Sequence, residues 1–74
     1  MSATLDVLPV GSRARIASVD GAGPVPLRLL EMGLLPEAEV FVVRRAPLGD
    51  PIEIEVMGYR LVLRASEARH VALR

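Results

Sequence analysis

Apolar and polar residues alternate most strictly over 51–56 (PIEIEV), where Ile52, Ile54 and Val56 fall on one side and Glu53 and Glu55 on the other. A period of two marks a strand with one face buried and one in water. Met57-Gly58 then separates this run from 59–64 (YRLVLR), whose Tyr59, Leu61 and Leu63 share the inward face. A two-residue loop predicts a hairpin that pairs Val56 with Tyr59, Glu55 with Arg60 and Ile54 with Leu61. In that register Glu55 meets Arg60 on the outer face, an opposite-charge pair contributing about 0.2–1 kcal/mol. Charge and hydrophobic face select the same alignment.

Upstream, 13–19 (RARIASV) alternates so that Ala14, Ile16 and Ser18 share a face, which predicts a first strand after the turn residues of 8–12 (LPVGS). The segment 20–24 (DGAGP) breaks the pattern. Good helix formers follow in 25–33 (VPLRLLEMG), with prolines only near the beginning and Gly33 where a left-handed C-cap belongs. This predicts a short helix at about 25–32 that buries Leu27, Leu30 and, just beyond it, Leu34. Pro36 takes the first corner of a turn into 39–46 (EVFVVRRA), which is apolar on both faces like a well-covered strand.

Past the hairpin, 65–70 (ASEARH) predicts a helical turn over about 66–70 capped by Ser66, and 71–74 (VALR) a last short strand. The order is strand, helix, three strands, helical turn, strand, with no internal repeat. Five short strands hide their edges best by curling up, so the expected fold is mainly β, a small SH3-like five-stranded barrel in one domain over 1–74.

Composition adds constraints. A chain of 74 residues is long enough for one core. Without cysteine it has neither a disulfide nor a thiolate metal cluster. Hydrophobic residues make up 51% of it, yet Phe41 and Tyr59 are its only aromatics. A surplus of aliphatic side chains on so small a body marks a contact with a partner or with another copy of itself, as a homo-oligomer. Nine arginines and nine acidic residues cancel. That balance leaves no basic excess for nucleic acid. The N-terminus (MSATLDVLPVG) lacks the positive charge and apolar run of a signal peptide, and no run approaches the ~20 residues needed to span a bilayer. A cytoplasmic protein with no membrane insertion is expected.

Candidate chemistry is thin. Ser12, Ser18 and Ser66 have no evident His–Asp partners, and Glu53 and Glu55 read as a solvated strand face, so no enzyme activity and no catalytic residue is expected. No cofactor is expected either. The nearest approach to a divalent-metal site is Glu67 with His70, whose i, i+3 spacing puts both on one side of a helical turn. Asp50, in a Gly-Asp-Pro corner, reads as a turn residue. The glycines of 21–24 (GAGP) precede the helix but lack the lysine and spacing of a phosphate loop. What remains is the helix and its flank, 27–36 (LRLLEMGLLP), where leucines outnumber one helical stripe. Its surplus, such as Leu29 or Leu35, is a candidate docking surface.

The segment 28–36 (RLLEMGLLP), followed by 46–68 (APLGDPIEIEVMGYRLVLRASEA), resembles ferrous iron transport protein A, FeoA. The similarity runs from about Leu8 to Arg74, and a weaker form is shared by the SH3-like C-terminal domain of DtxR-type iron-dependent repressors, which follows DNA- and metal-binding domains absent here. The resemblance implies a small accessory protein of bacterial ferrous iron uptake that acts by contact on FeoB, a membrane permease with a cytoplasmic GTPase domain. It directs attention to Leu27, Arg28, Leu29, Glu31 and Leu35 as partner-binding residues. Alternative readings are a divalent-metal carrier and a detached SH3-like regulatory domain; a peptide-binding SH3 groove would need more aromatics. Two positions depart from the family pattern. Pro36-Glu37 stands where Pro-Gly is usual, so the turn is expected to be made without glycine's positive φ. Leu27-Arg28 stands where two arginines are common.

Overall fold

A computed structural model describes residues 3–74; Met1 and Ser2, part of the N-terminus read above as carrying no signal peptide, lie outside the described residues. The chain forms β1 (Arg13–Val19), α1 (Pro24–Glu31), β2 (Glu39–Arg45), β3 (Ile52–Val56), β4 (Tyr59–Leu63), α2 (Ala65–Ala68) and β5 (Val71–Leu73). All pairings are antiparallel, in the order β4-β3-β2-β1-β5. β1 is the strand that curls the sheet. Its first half, from Arg13 to Arg15, pairs with β2, and beyond an irregularity at Ile16–Ser18 its second half pairs with β5. This is the SH3-like architecture the element order predicts.

The β3–β4 register is the one read from the loop: Val56 opposite Tyr59, Glu55 opposite Arg60, Ile54 opposite Leu61. Met57 and Gly58 both have positive φ (55° and 85°), as the two central residues of a type I′ turn require. Ile52, Ile54 and Val56 are buried, and with Ile16, Val40, Val42, Leu63, Val71 and Leu73 they fill the inside of the sheet. The expected Glu55–Arg60 ion pair is replaced by another. Arg60 reaches diagonally to Glu53 (3.4 Å), which also accepts from Arg44 Nε (2.6 Å). Opposite Glu55 on β2 lies Phe41, whose ring is covered by Arg13 at 5.1 Å, so the carboxylate with a second cationic neighbour draws Arg60.

Helix α1 ends as Gly33 predicts. The Gly33 N–H donates to the Leu30 carbonyl and the Leu34 N–H to that of Leu29, with Gly33 at φ 101°, which together make a Schellman motif. That motif clasps Leu34 over Leu29, and both are fully buried. It thereby turns the helix from its expected phase. The inward stripe is Pro26, Leu29 and, half-buried, Leu30, whereas Leu27, expected inside, is exposed. Leu29 as a docking residue is likewise corrected: it belongs to the core.

The next turn departs from expectation too. Glu37 adopts the positive φ (75°) that glycine would normally supply, with Pro36 before it and the Ala38 N–H bonded to the Leu35 carbonyl at 3.0 Å, a type II arrangement. Ser66 does not cap α2, because the helix begins one residue earlier and places Ser66 inside it. The capping acceptors are the Glu67 carboxylate, which takes the Arg64 N–H (2.8 Å), and Asp50 from the Gly-Asp-Pro corner, which takes the Ala65 N–H (3.0 Å). Tyr59, assigned to the inward row, sits beyond the end of the core and is exposed.

A 3-10 helix at Leu5–Val7 has no counterpart in the hydrophobic pattern, yet Leu5 is fully buried. Arg45 fastens this segment. Its Nη2 donates to the carbonyls of Asp6 (2.6 Å) and Leu8 (3.0 Å), while Nη1 reaches that of Gly49 (3.4 Å).

Two stability outcomes follow from these turns. A Cβ at Gly33 would be strained at its positive φ and would collide with the Tyr59 hydroxyl; Gly33→Ala is expected to destabilise by about 1–3 kcal/mol, read as a fall in midpoint of roughly 4–8 °C per kcal/mol. Glu37→Gly is expected to act oppositely. Relief of the left-handed conformation gains about 1–2 kcal/mol, and glycine's extra unfolded freedom takes back about 0.5–1. Chemical denaturation in high salt, where the exposed Glu37–Arg74 pair is screened, measures the remainder, and a lowered midpoint would contradict the turn assignment.

Candidate partner-binding face

The Schellman end fixes which side of α1 meets water. Leu27, Arg28 and Glu31, one turn apart or adjacent, are exposed together, and Leu35 emerges two residues past Gly33. Leu27 is 59% exposed and Leu35 44%; Leu48, in the corner loop, is exposed further still, and Val7, Val10 and Val62 are exposed on other segments, so what sets Leu27 and Leu35 apart is the company of Arg28 and Glu31. Of the five residues expected to bind a partner, four are therefore exposed and Leu29 is buried.

Arg28 is anchored. Its guanidinium pairs with Glu67 Oε2, while Glu67 Oε1 receives the Arg64 N–H. One carboxylate thus caps α2 and holds α1 beside it, and Glu67 is the more enclosed partner, its side chain 18% exposed against 58% for Arg28. Packing holds the other end of the helix. The Tyr59 hydroxyl donates to the Met32 carbonyl, and a Cβ at Gly33 would lie 3.7 Å from Met57 Cγ. Met57 and Tyr59 consequently extend the apolar surface from the end of α1 onto the hairpin. Sequence reasoning missed both. The available signal was Met57 itself, a large apolar residue at a type I′ turn position, where the side chain must point to solvent.

Glu67 and His70, the metal candidates, are each engaged elsewhere. Glu67 serves Arg28 and the α2 cap, and the His70 Nδ1–H donates to the main-chain carbonyl of Asp20 (2.8 Å). Among the described residues no three His, Cys, Asp or Glu side chains converge on a point. Ser18, Asp20 and His70 do come together, but without the order of a nucleophile and its base: the Ser18 hydroxyl donates to the Asp20 carboxylate (3.0 Å) and the imidazole faces main chain. Asp50 is a helix cap, and Glu53 is held between two arginines.

The comparisons with known proteins agree with this architecture. The chain is 37% identical over 67 residues to the Fe(2+) transport protein A/Fe(2+) transporter FeoB fusion protein of Porphyromonas gingivalis; the match takes in 90% of this chain and 8% of that much longer protein. The crystal structure of Stenotrophomonas maltophilia FeoA complexed with zinc, described as a procaryotic SH3-domain protein, superposes with a TM-score of 0.88 at 33% identity, covering 97% of this chain and 89% of that one. A manganese-dependent transcriptional repressor shares the fold alone, with a TM-score of 0.87 at 16% identity over 99% of this chain and 36% of its own. The FeoA domain model matches residues 3–74, the whole described length, and the chain accordingly belongs to the FeoA family.

Proposed function

We propose that this chain is a small cytoplasmic accessory protein that regulates ferrous iron uptake by docking on a FeoB permease through the exposed side of α1. The observation that carries this reading is the P. gingivalis relative, in which a matching FeoA segment is joined to an Fe(2+) transporter FeoB. Covalent fusion keeps two partners at high effective concentration, which is useful where their separate contact is weak. The exposed set of Leu27, Arg28, Glu31 and Leu35 has the make-up of a contact face, two leucines and two charges of opposite sign. Anchoring by Glu67 holds Arg28 ready, so little side-chain freedom is lost on binding. Such a module changes transport by binding one state of the permease better than another.

Leu27→Asp and Leu35→Asp are expected to leave the fold intact, by circular dichroism and thermal midpoint, and to weaken capture of full-length FeoB by about tenfold or more. Undiminished capture by both folded variants would remove this face from the contact. Leu29→Ala serves as the contrast, since its loss of about 2–5 kcal/mol should appear as unfolding.

A second reading, transfer of Fe(II) through Glu67 and His70, is favoured by the zinc in the S. maltophilia relative. It requires Glu67 to leave both Arg28 and the Arg64 N–H. Anaerobic titration of micromolar protein with Fe(II) is expected to give no binding heat; saturable heat lost in Glu67→Gln and His70→Ala would establish the carrier instead.

A further inference from the structure

We infer that β4 is a self-pairing edge, through which two copies of this chain join antiparallel into one continuous sheet. The two-residue turn decides which backbone groups are free. Val56 and Tyr59 close the hairpin, so Tyr59, Leu61 and Leu63 exchange hydrogen bonds with β3, and the N–H and C=O groups of Arg60 and Val62 point away from it. β4 ends the strand order, and among the described residues no backbone hydrogen bond reaches Arg60 or Val62.

The opposite edge is treated differently. Along β5, Ala3 accepts from the Leu73 N–H (2.8 Å) and Thr4 bridges to Ala72, so the N-terminal segment covers it. β4 lacks several of the usual protections: it carries no proline or lysine, and its ladder with β3 runs without a bulge. Its one charge, Arg60, is drawn back along its own sheet to Glu53, and Val62 is 62% exposed.

Charge complementarity admits a second copy in one register. A two-fold pairing must oppose residues whose backbone groups face outward. Setting Arg60 against its own copy places like charges opposite each other, and setting Val62 against its own copy brings Arg60 against Arg64. Both arrangements are unfavourable. The register centred on Leu61 has neither fault: the partner's Arg60 lies opposite Val62, whose neighbour on β3 is Glu53. The half-buried Leu61 then meets its equivalent on the inner face. A formal net charge of zero leaves no long-range repulsion between copies. The contact is small, so the dimer belongs with weak, transient interfaces.

Sedimentation equilibrium of the full chain from about 10 µM to 1 mM, a range that spans weak association, should show the mass rising from 8.0 kDa toward that of a dimer. Val62→Pro removes an outward N–H that the β3 ladder does not use and should hold the protein monomeric. Should that variant fail to fold, the charge pair decides. Val62→Arg is expected to weaken the dimer and Val62→Glu to tighten it, each by roughly 2- to 30-fold, because a two-fold contact counts the cross-strand pair twice. Monomer mass at every concentration would overturn the proposal. So would a dimer indifferent to both charges, or one that both weaken alike.

Discussion

A slip of β3 by one residue would drive Glu53 and Glu55 into the core and Ile52, Ile54 and Val56 into water. Two unpaired carboxylates inside so small a core would cost several kcal/mol each, a large share of the roughly 5–15 kcal/mol that holds a folded domain together, so the hairpin register is the constraint on which the other elements rest. Met57-Gly58 sets it locally, through a turn that needs positive φ twice. β2 then pairs with the far side of β3 and passes the same inward row to β1. By changing partners along its length, β1 lets β5 close over the row.

With no cysteine to staple it, the chain is held at its corners by polar ties. Asp50 in the Gly-Asp-Pro corner and Glu67 within α2 both accept from the start of that helix, and Glu67 also holds Arg28 of α1. Arg45 binds three main-chain carbonyls, two in the N-terminal segment and one in the corner loop. These bonds join segments far apart in sequence, and their donors and acceptors are where the aliphatic core cannot reach. The Pro-Leu-Gly-Asp-Pro stretch is thus part of the scaffold that positions α1.

The same packing apportions the aliphatic surplus. What the Schellman turn clasps inward, Leu29 and Leu34, is scaffold; what it turns outward, Leu27 with Arg28 and Glu31, is available to a partner. The FeoA family membership is shown by the match over residues 3–74, and the relative fused to FeoB is what supports the proposed docking through that outward face. The outward backbone groups of β4 belong to Arg60 and Val62, not to Leu27, Arg28, Glu31 or Leu35, so the proposed pairing of copies and the proposed docking on a permease rest on different residues.

The sequence by itself determined the strands, the helix end at Gly33 and the hairpin pairing, because each follows from local rules: a period of two, a left-handed cap, a two-residue loop. It also carried the family resemblance. It did not determine which leucines face out, since Leu27 and Leu29 differ only by the phase of a two-turn helix, and that phase is set by how Leu34 packs after the cap. Nor could it show that Arg60 would leave Glu55 for Glu53, that Asp50 would cap a helix 15 residues away, or that Leu5 would be buried. Those outcomes depend on groups brought together only when the sheet curls, where distance in space replaces distance along the chain.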